Sequence, residues 1–321
     1  MQYIFYLLVI AYILVPLDVY AKSETIKKVL YVNSYHSGYA WSDGITKAIK
    51  KTIKNSEMKI DLKIIEMNTK LNYSEKFKIN AGLKVKHLIE SFKPDVVIVS
   101  DDNAAKYVLV PYYLKSSLPF VFCGINGSAK IYNFSNKNVT GMLEVTLVPQ
   151  LIEVIKKYSK GNRIVYFNDD TLSSHKVVLT FEKKLKTKVK TYFITSKKEL
   201  EKYFVMAQKE ADILILGTFA TLRASITKKY LKEYILKHTI IPSVATVKLG
   251  SETALLTFAN KPEEQGEWAA NTALDILKGK KTSEIKVVEN KKAEIYINVT
   301  LMKKLKVVLP LALLENASMI E

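Results

Sequence analysis

Short apolar runs rich in Val and Ile alternate along this chain with segments of helical period, and that repetition constrains the fold more than any other feature. The runs fall at Val29 to Val32, Ile60 to Ile65, Val96 to Val99, Phe120 to Phe122, Ile164 to Phe167, Tyr192 to Ile194, Ile213 to Leu216, Ile241 to Val247 and Ala254 to Phe258. Runs without polar alternation belong to strands covered on both faces, as in a parallel sheet. Between them, Ile45, Ala48, Ile49 and Ile53 share one helical face, and Ala81, Val85, Leu88, Ile89 and Phe92 share another. Leu151, Val154, Ile155 and Tyr158 form a third stripe, and Leu200, Tyr203, Phe204 and Ala207 a fourth. Parallel neighbours need right-handed helical crossovers, so the expected class is α/β with doubly wound sheets.

Two lobes are expected rather than one. The chain has 321 residues, beyond the size at which a single core usually stops growing. The pattern also restarts: Arg163 to Phe167 mimics the opening strand, Lys28 to Val32, and each is followed by a polar loop and a helix. From Asn126 to Gln150 the alternation gives way to a loop, an extended piece at Val139 to Val145, and a helix with Pro149 in its first turn. That stretch reads as a crossing between lobes.

Composition removes several classes. With 48% hydrophobic and 25% charged residues the chain is not disordered, and 11 Gly with 8 Pro exclude collagen-like or linker-like folds. A single cysteine, Cys123, forms no internal disulfide, and with four histidines it gives no zinc spacing. No metal or cofactor is expected. A net charge of +18 raises nucleic acid as a partner, but only Arg163 and Arg223 are arginines. Phosphate and base recognition favour clustered arginine forks. The lysines read as solvated helix faces, and no nucleic-acid partner is expected. There is no Gly-x-Ser-x-Gly elbow, Walker loop, strand-following Gly-x-Gly-x-x-Gly or His-Glu-x-x-His. Sequence-remote triads stay open, but nothing positive points to an enzyme.

From Tyr3 to Leu17 the chain carries no charge, and Val19, Tyr20 and Ala21 put small residues at the −3 and −1 positions of a signal-peptidase site. The run is short of the ~20 residues a membrane-spanning helix needs. Residues 1–21 are therefore expected to be a secretory signal and the protein periplasmic. The missing Lys or Arg ahead of the apolar run keeps an uncleaved anchor as the alternative.

Open parallel sheets bind ligands at the carboxyl ends of their strands. After the first strand come Ser34, Tyr35, His36, Tyr39 and Trp41; after the third, Ser100, Asp101, Asp102 and Asn103; after the fourth, Cys123, Gly124 and Asn126. In the second half Asn168, Asp169 and Asp170, then Gly217, Thr218 and Phe219, then Thr246 to Gly250 hold equivalent places. Polar and aromatic loops of this kind suit a small polar ligand with a flat face. Each residue has a second reading. Ser100 with Asp101, Asp169 with Asp170, and Ser42 stand where helix N-caps stand. His36 reads as a structural histidine, Cys123 as a buried small hydrophobe, and Tyr39 and Trp41 as a plug for the sheet end. Glu144, on the expected crossover, faces either a cleft or solvent.

The run V-L-Y-V-N-S-Y-H-S-G-Y-A-W-S-D-G, Val29 to Gly44, resembles the opening of extracytoplasmic substrate-binding proteins of ABC transporters, in the tryptophan-type and sensor-domain branch. Glu264, Gln265 and Gly266, the helix through Leu277 and Gly279, and I-Y-I-N-V-T-L-M-K-K-L-K-V-V-L-P at Ile295 to Pro310 resemble that branch's closing pattern. Leu305 and Lys306 depart from its usual Leu-Gly. The resemblance spans the chain after residue 21. It implies a type I periplasmic binding protein: two Rossmann-like lobes joined by three crossings and closing on a ligand. The implied lobes are 22–140 with about 255–283, and 141–254 with about 284–321. Ligand contacts would come from Ser34, Tyr35, Tyr39, Trp41, Asp101, Asp102, Asn103 and Asn126 on one lobe, facing Glu144, Asp169, Thr218 and Phe219 on the other. An amino acid or related metabolite fits, as does a nucleoside or modified sugar. The implied partner is an ABC permease, with a membrane sensor kinase or cyclase as the alternative, an exported α/β enzyme as a third reading, and a monomer as the state.

Overall fold

The computed structural model describes residues 25–134, 137–219, 221–222 and 225–321. The segment read as a secretory signal, residues 1–21, lies outside them. Among the described residues no helix is long and apolar enough to cross a membrane.

The first lobe opens with β1 (Lys27–Asn33), α1 (Ala40–Lys54), β2 (Ile60–Glu66), α2 (Glu75–Phe92), β3 (Val96–Ser100), the short α3 (Asp101–Ala104) and α4 (Val110–Tyr113) joined by a π turn, β4 (Phe120–Asn126) and β5 (Val139–Glu144). The chain then crosses into α5 (Val148–Ile155), β6 (Ile164–Asp169), α6 (Leu172–Leu185), β7 (Lys190–Ile194), α7 (Lys197–Glu210), β8 (Ile213–Leu216), α8 (Lys228–His238), β9 (Ser243–Ala245) and β10 (Leu256–Asn260). It returns as α9 (Pro262–Leu277) and β11 (Val288–Glu289), and leaves again through β12 (Ala293–Asn298), α10 (Val299–Lys304), α11 (Leu311–Leu314) and β13 (Ala317–Ile320).

Two sheets result, as the restarted pattern predicts. The first has the order β11-β5-β4-β3-β1-β2 and is parallel throughout. The second has the order β13-β12-β10-β9-β8-β6-β7 and is parallel except where β10 meets β12. That antiparallel pair departs from the expectation for a topological reason. β12 follows directly on a crossing, so Ala293 enters the second sheet beside Asn260, the end of β10, and runs back along it.

Strand membership also differs from the lobe boundaries expected from sequence. β10, expected in the first lobe, pairs with β9 and β12 in the second sheet. All of β5, and β11 with it, belong to the first sheet rather than the second. The crossings therefore fall after Glu144, after Asn260 and near Asn290. An apolar strand such as Leu256–Asn260 carries no mark of which of two sheets it completes, which is why sequence misplaces it.

The predicted stripes do the packing. Ile45, Ile49 and Ile53 of α1 and Ala269, Ala270 and Ala273 of α9 bury against Val29, Tyr31, Val96 and Val121 on one face of the first sheet. α1 and α9 approach closely because Gly266 has no side chain: a Cβ there would lie 2.3 Å from the Ile45 carbonyl oxygen. A helix distant in sequence thus completes the first lobe.

Candidate functional site

The ends of β1, β3, β4 and β5 bring most first-lobe candidates together. Asn33 Oδ1 accepts from Tyr35 N–H at 2.9 Å and Ser42 Oγ at 3.0 Å, which folds the β1–α1 loop over the sheet edge. Ser42 therefore braces this loop and is not the cap of α1, whose N-cap is Tyr39. Tyr35 and Tyr39 meet edge to face with centroids 5.2 Å apart, and Lys70 Nζ stands 4.8 and 5.6 Å from the two rings.

Asp101 is the unusual residue. It is 1% exposed, has φ +66°, and takes a 2.8 Å hydrogen bond from Trp41 Nε1 on Oδ1. Its Oδ2 is buried with no hydrogen-bond partner. Ser100 occupies the N-cap position without a side-chain cap bond, so neither residue does the capping that sequence allowed. Gly124 makes room: a Cβ there would lie 3.0 Å from Asp101 Oδ1. Burial pushes the Asp101 carboxyl up to about 8, and the charges of Glu144 and Asp102 add to it against the Trp41 bond.

Asp102 is held open to the same space. Its Oδ1 accepts from Tyr132 at 2.6 Å and its Oδ2 from Asn126 Nδ2 at 2.9 Å. Glu144, at the end of β5, accepts from Asn260 Nδ2 at 3.1 Å, and burial, with the Asp102 charge, raises its carboxyl above the usual range. Burial raises the Tyr35 hydroxyl, and Asp101, Asp102 and Glu144 all act on it in the same direction. These carboxylates therefore converge on one patch of aromatic surface. Among the described residues none of the three forms an ion pair.

Other candidates are spent internally. Ser34 is fully buried, donating to the Ser100 carbonyl and accepting from Ala104 N–H at 2.7 Å, and Asn103 Nδ2 donates to Thr69 Oγ1 at 2.8 Å. In the second lobe, Asp169 Oδ2 accepts both Thr221 N–H and its hydroxyl at 2.7 and 2.8 Å, while Thr171 caps α6. Phe219 is 1% exposed, packs 5.8 Å from Phe167 in the core and donates its N–H to Asn168 Oδ1. Thr218 is half-buried beside it. Glu144 stands on the first lobe, not the second. A cavity of about 1260 Å³ opens elsewhere, between α1, the start of β2 and α9. Its walls contain none of the predicted site residues.

Sequence reasoning missed Asn260, Lys70, Tyr132 and Gln265. Gln265 is fully buried on α9, accepts from Gly124 N–H at 2.9 Å and donates to the Leu143 carbonyl at 3.2 Å, fixing the ends of β4 and β5 beneath the acids. Gln265→Leu strands a buried N–H, and an expected loss of about 1–3 kcal/mol in urea unfolding checks this support.

A family model described as ABC transporter substrate binding protein matches residues 29–320. Comparison with curated proteins finds no match. Among solved structures, the ABC domain of a Streptococcus pneumonia protein in complex with L-Trp is 15% identical, with a TM-score of 0.56 over 92% of this chain and 100% of that one. A ligand-free, open substrate-binding protein with adhesive properties from Clostridium difficile is 17% identical, with a TM-score of 0.68 over 92% and 99%. A Bacillus halodurans solute-binding protein with bound myo-inositol is 11% identical, with a TM-score of 0.51 over 88% and 97%. These likenesses carry the two-lobed binding-protein fold, and the matched family is one of binding proteins rather than enzymes. The chain belongs to the ABC transporter substrate-binding protein family.

Proposed function

We propose that this protein captures, outside the cytoplasm, a small ligand carrying a positively charged amine beside a flat ring, and delivers it between closing lobes to an ABC permease. One observation carries the ligand class. Asp101 is bonded to Trp41, Asp102 follows it and is bonded to Asn126, and Asn126 lies in register with Glu144, so the three acids share one edge of the first sheet and have no ion-pair partner among the described residues. A ligand ammonium supplies the missing charge and Trp41 a ring face, while Lys70 Nζ already stands against the Tyr35 and Tyr39 rings. Polyols and aromatic acids lack that charge and are poor fits for an acidic patch. Ligand binding both lobes gains its full contact set only on closure, so it shifts the population toward the closed form. The second lobe's contribution then comes from Thr218 and the loop around Asp169.

A thermal-shift screen of aromatic amines, amino acids, nucleosides, polyols and aromatic acids tests the reading. At 100 times its dissociation constant a ligand adds about 2.7 kcal/mol of stability, a shift of several degrees. Tryptamine-like amines and amino acids are expected to shift melting, and myo-inositol and dihydroxybenzoate to leave it unchanged. A shift from the polyol or the acid, with none from amines, rejects the ligand class.

A further inference from the structure

Asn290, 3% exposed, sits at the third crossing, where its backbone N–H donates to the Leu143 carbonyl at 3.3 Å. Its Oδ1 accepts from Val145 N–H, on the first crossing, at 2.7 Å. Its Nδ2 donates to Asn260 Oδ1, at the end of β10, at 3.2 Å. Asn260 Nδ2 then donates to Glu144 Oε1 at 3.1 Å. Glu264, in the first turn of α9, accepts Lys291 N–H at 2.9 Å and Lys292 N–H at 2.7 Å, so the third crossing is pinned to the first lobe. Glu144, Val145 and Asn290 therefore stand on first-lobe framework, whereas Asn260 is carried by the second sheet. One second-lobe amide is gripped on both its oxygen and its nitrogen by first-lobe groups.

We propose that Asn260 is a latch that ties the direction of the Glu144 carboxylate to the angle between the lobes, with Asn290 as the positioning residue that holds it. Hydrogen bonds weaken steeply once stretched or bent beyond their narrow range. Rotation of one lobe on the other moves Asn260 against both partners at once, so the latch belongs to the lobe angle seen here. Leaving that angle frees Glu144 Oε1 from Asn260 and makes it available to a ligand. A change of lobe angle and the arming of a pocket carboxylate are then one event. An amide suits both positions because it donates from its nitrogen and accepts on its oxygen at the same time.

This deepens the proposed function, but its first readout needs no ligand. Nitroxide labels at Lys50→Cys in α1 and Lys229→Cys in α8, both exposed, report the interlobe distance by pulsed electron resonance, while Cys123 stays buried. In the unliganded protein, Asn260→Ala and Asn290→Ala are each expected to raise the population of the minor distance about tenfold, and the double variant no further. Glu144→Gln, which keeps the acceptor oxygen, is expected to leave the distribution as in wild type, whereas Glu144→Ala shifts it like Asn260→Ala. Unchanged distributions in both asparagine variants overturn the latch, as does an additive double variant. Asn260→Asp, isosteric and opposed to Glu144, supplies the same test should the alanine variants fail to fold. A ligand screen without hits defeats the ligand class and leaves these distances as they are, so the two failures are distinct.

Discussion

Asp101→Asn raises the stability of the unliganded protein strongly at pH 8 and by much less, about 1–2 kcal/mol, at pH 5. The folded chain holds the Asp101 proton up to about 8, whereas an ordinary aspartate gives it up near 3.8. The folded state thus binds more protons than the unfolded state between those values, and stability falls as pH rises through that window. Each unit of separation corresponds to about 1.4 kcal/mol, so the penalty above the window is on the order of several kcal/mol. Asparagine removes the ionisation, keeps an oxygen for Trp41 Nε1, and tolerates φ +66°. Alanine would lose the Trp41 bond and confuse the comparison. Urea unfolding of both proteins at pH 5 and pH 8 is the measurement. Curves separated by the same amount at both values would mean that Asp101 does not hold its proton through folding. For an amine ligand the sign reverses: a cation beside Oδ2 favours the ionised acid, so binding expels a proton and wild-type affinity rises from pH 5 to pH 8.

The strands and helical stripes were legible because burial on both faces leaves an unbroken apolar run, as in Val96–Ser100, and because Ile45, Ile49 and Ile53 must share a face to reach the sheet. The carboxyl-end rule places Tyr35, Trp41, Asp101 and Asp102 together for the same reason: topology alone puts those loops on one edge. It stops at side-chain direction. Phe219 and Asp102 both follow strands, yet a left-handed turn at φ +51° sends Phe219 into the core while Asp102 is held outward by Tyr132 and Asn126. Ser34 and Asn103 have hydroxyl and amide groups suited to a ligand, but the start of α3 and the Thr69 loop use them first. Asn260 ends β10 just ahead of Pro262 and was within reach of the strand-end rule. The apolar run that marks this strand stops at Phe258, so the polar residue that closes β10 carries no strand signal of its own.

Glu144→Gln is expected to weaken binding of the amine found by the screen about 30-fold or more while making the unliganded protein more stable. A hydrogen bond between charged partners is worth about 1.5–3 kcal/mol, and the upper part of that range applies to a half-buried carboxylate screened from bulk water. The gain in stability has a separate origin. Burial and the neighbouring Asp102 both oppose ionisation of Glu144, and an amide removes both costs while still accepting from Asn260. Opposite signs distinguish a ligand group from a structural one, because a purely structural carboxylate loses stability on neutralisation and leaves affinity alone. Calorimetric titration supplies the affinity and thermal melting the stability. A ring compound of the same size without the amine is expected to bind wild type and Glu144→Gln equally weakly. Equal losses for the charged and uncharged compounds would assign Glu144 to shaping the cleft rather than to reading charge. If affinity holds and melting falls, the carboxylate serves only the hinge.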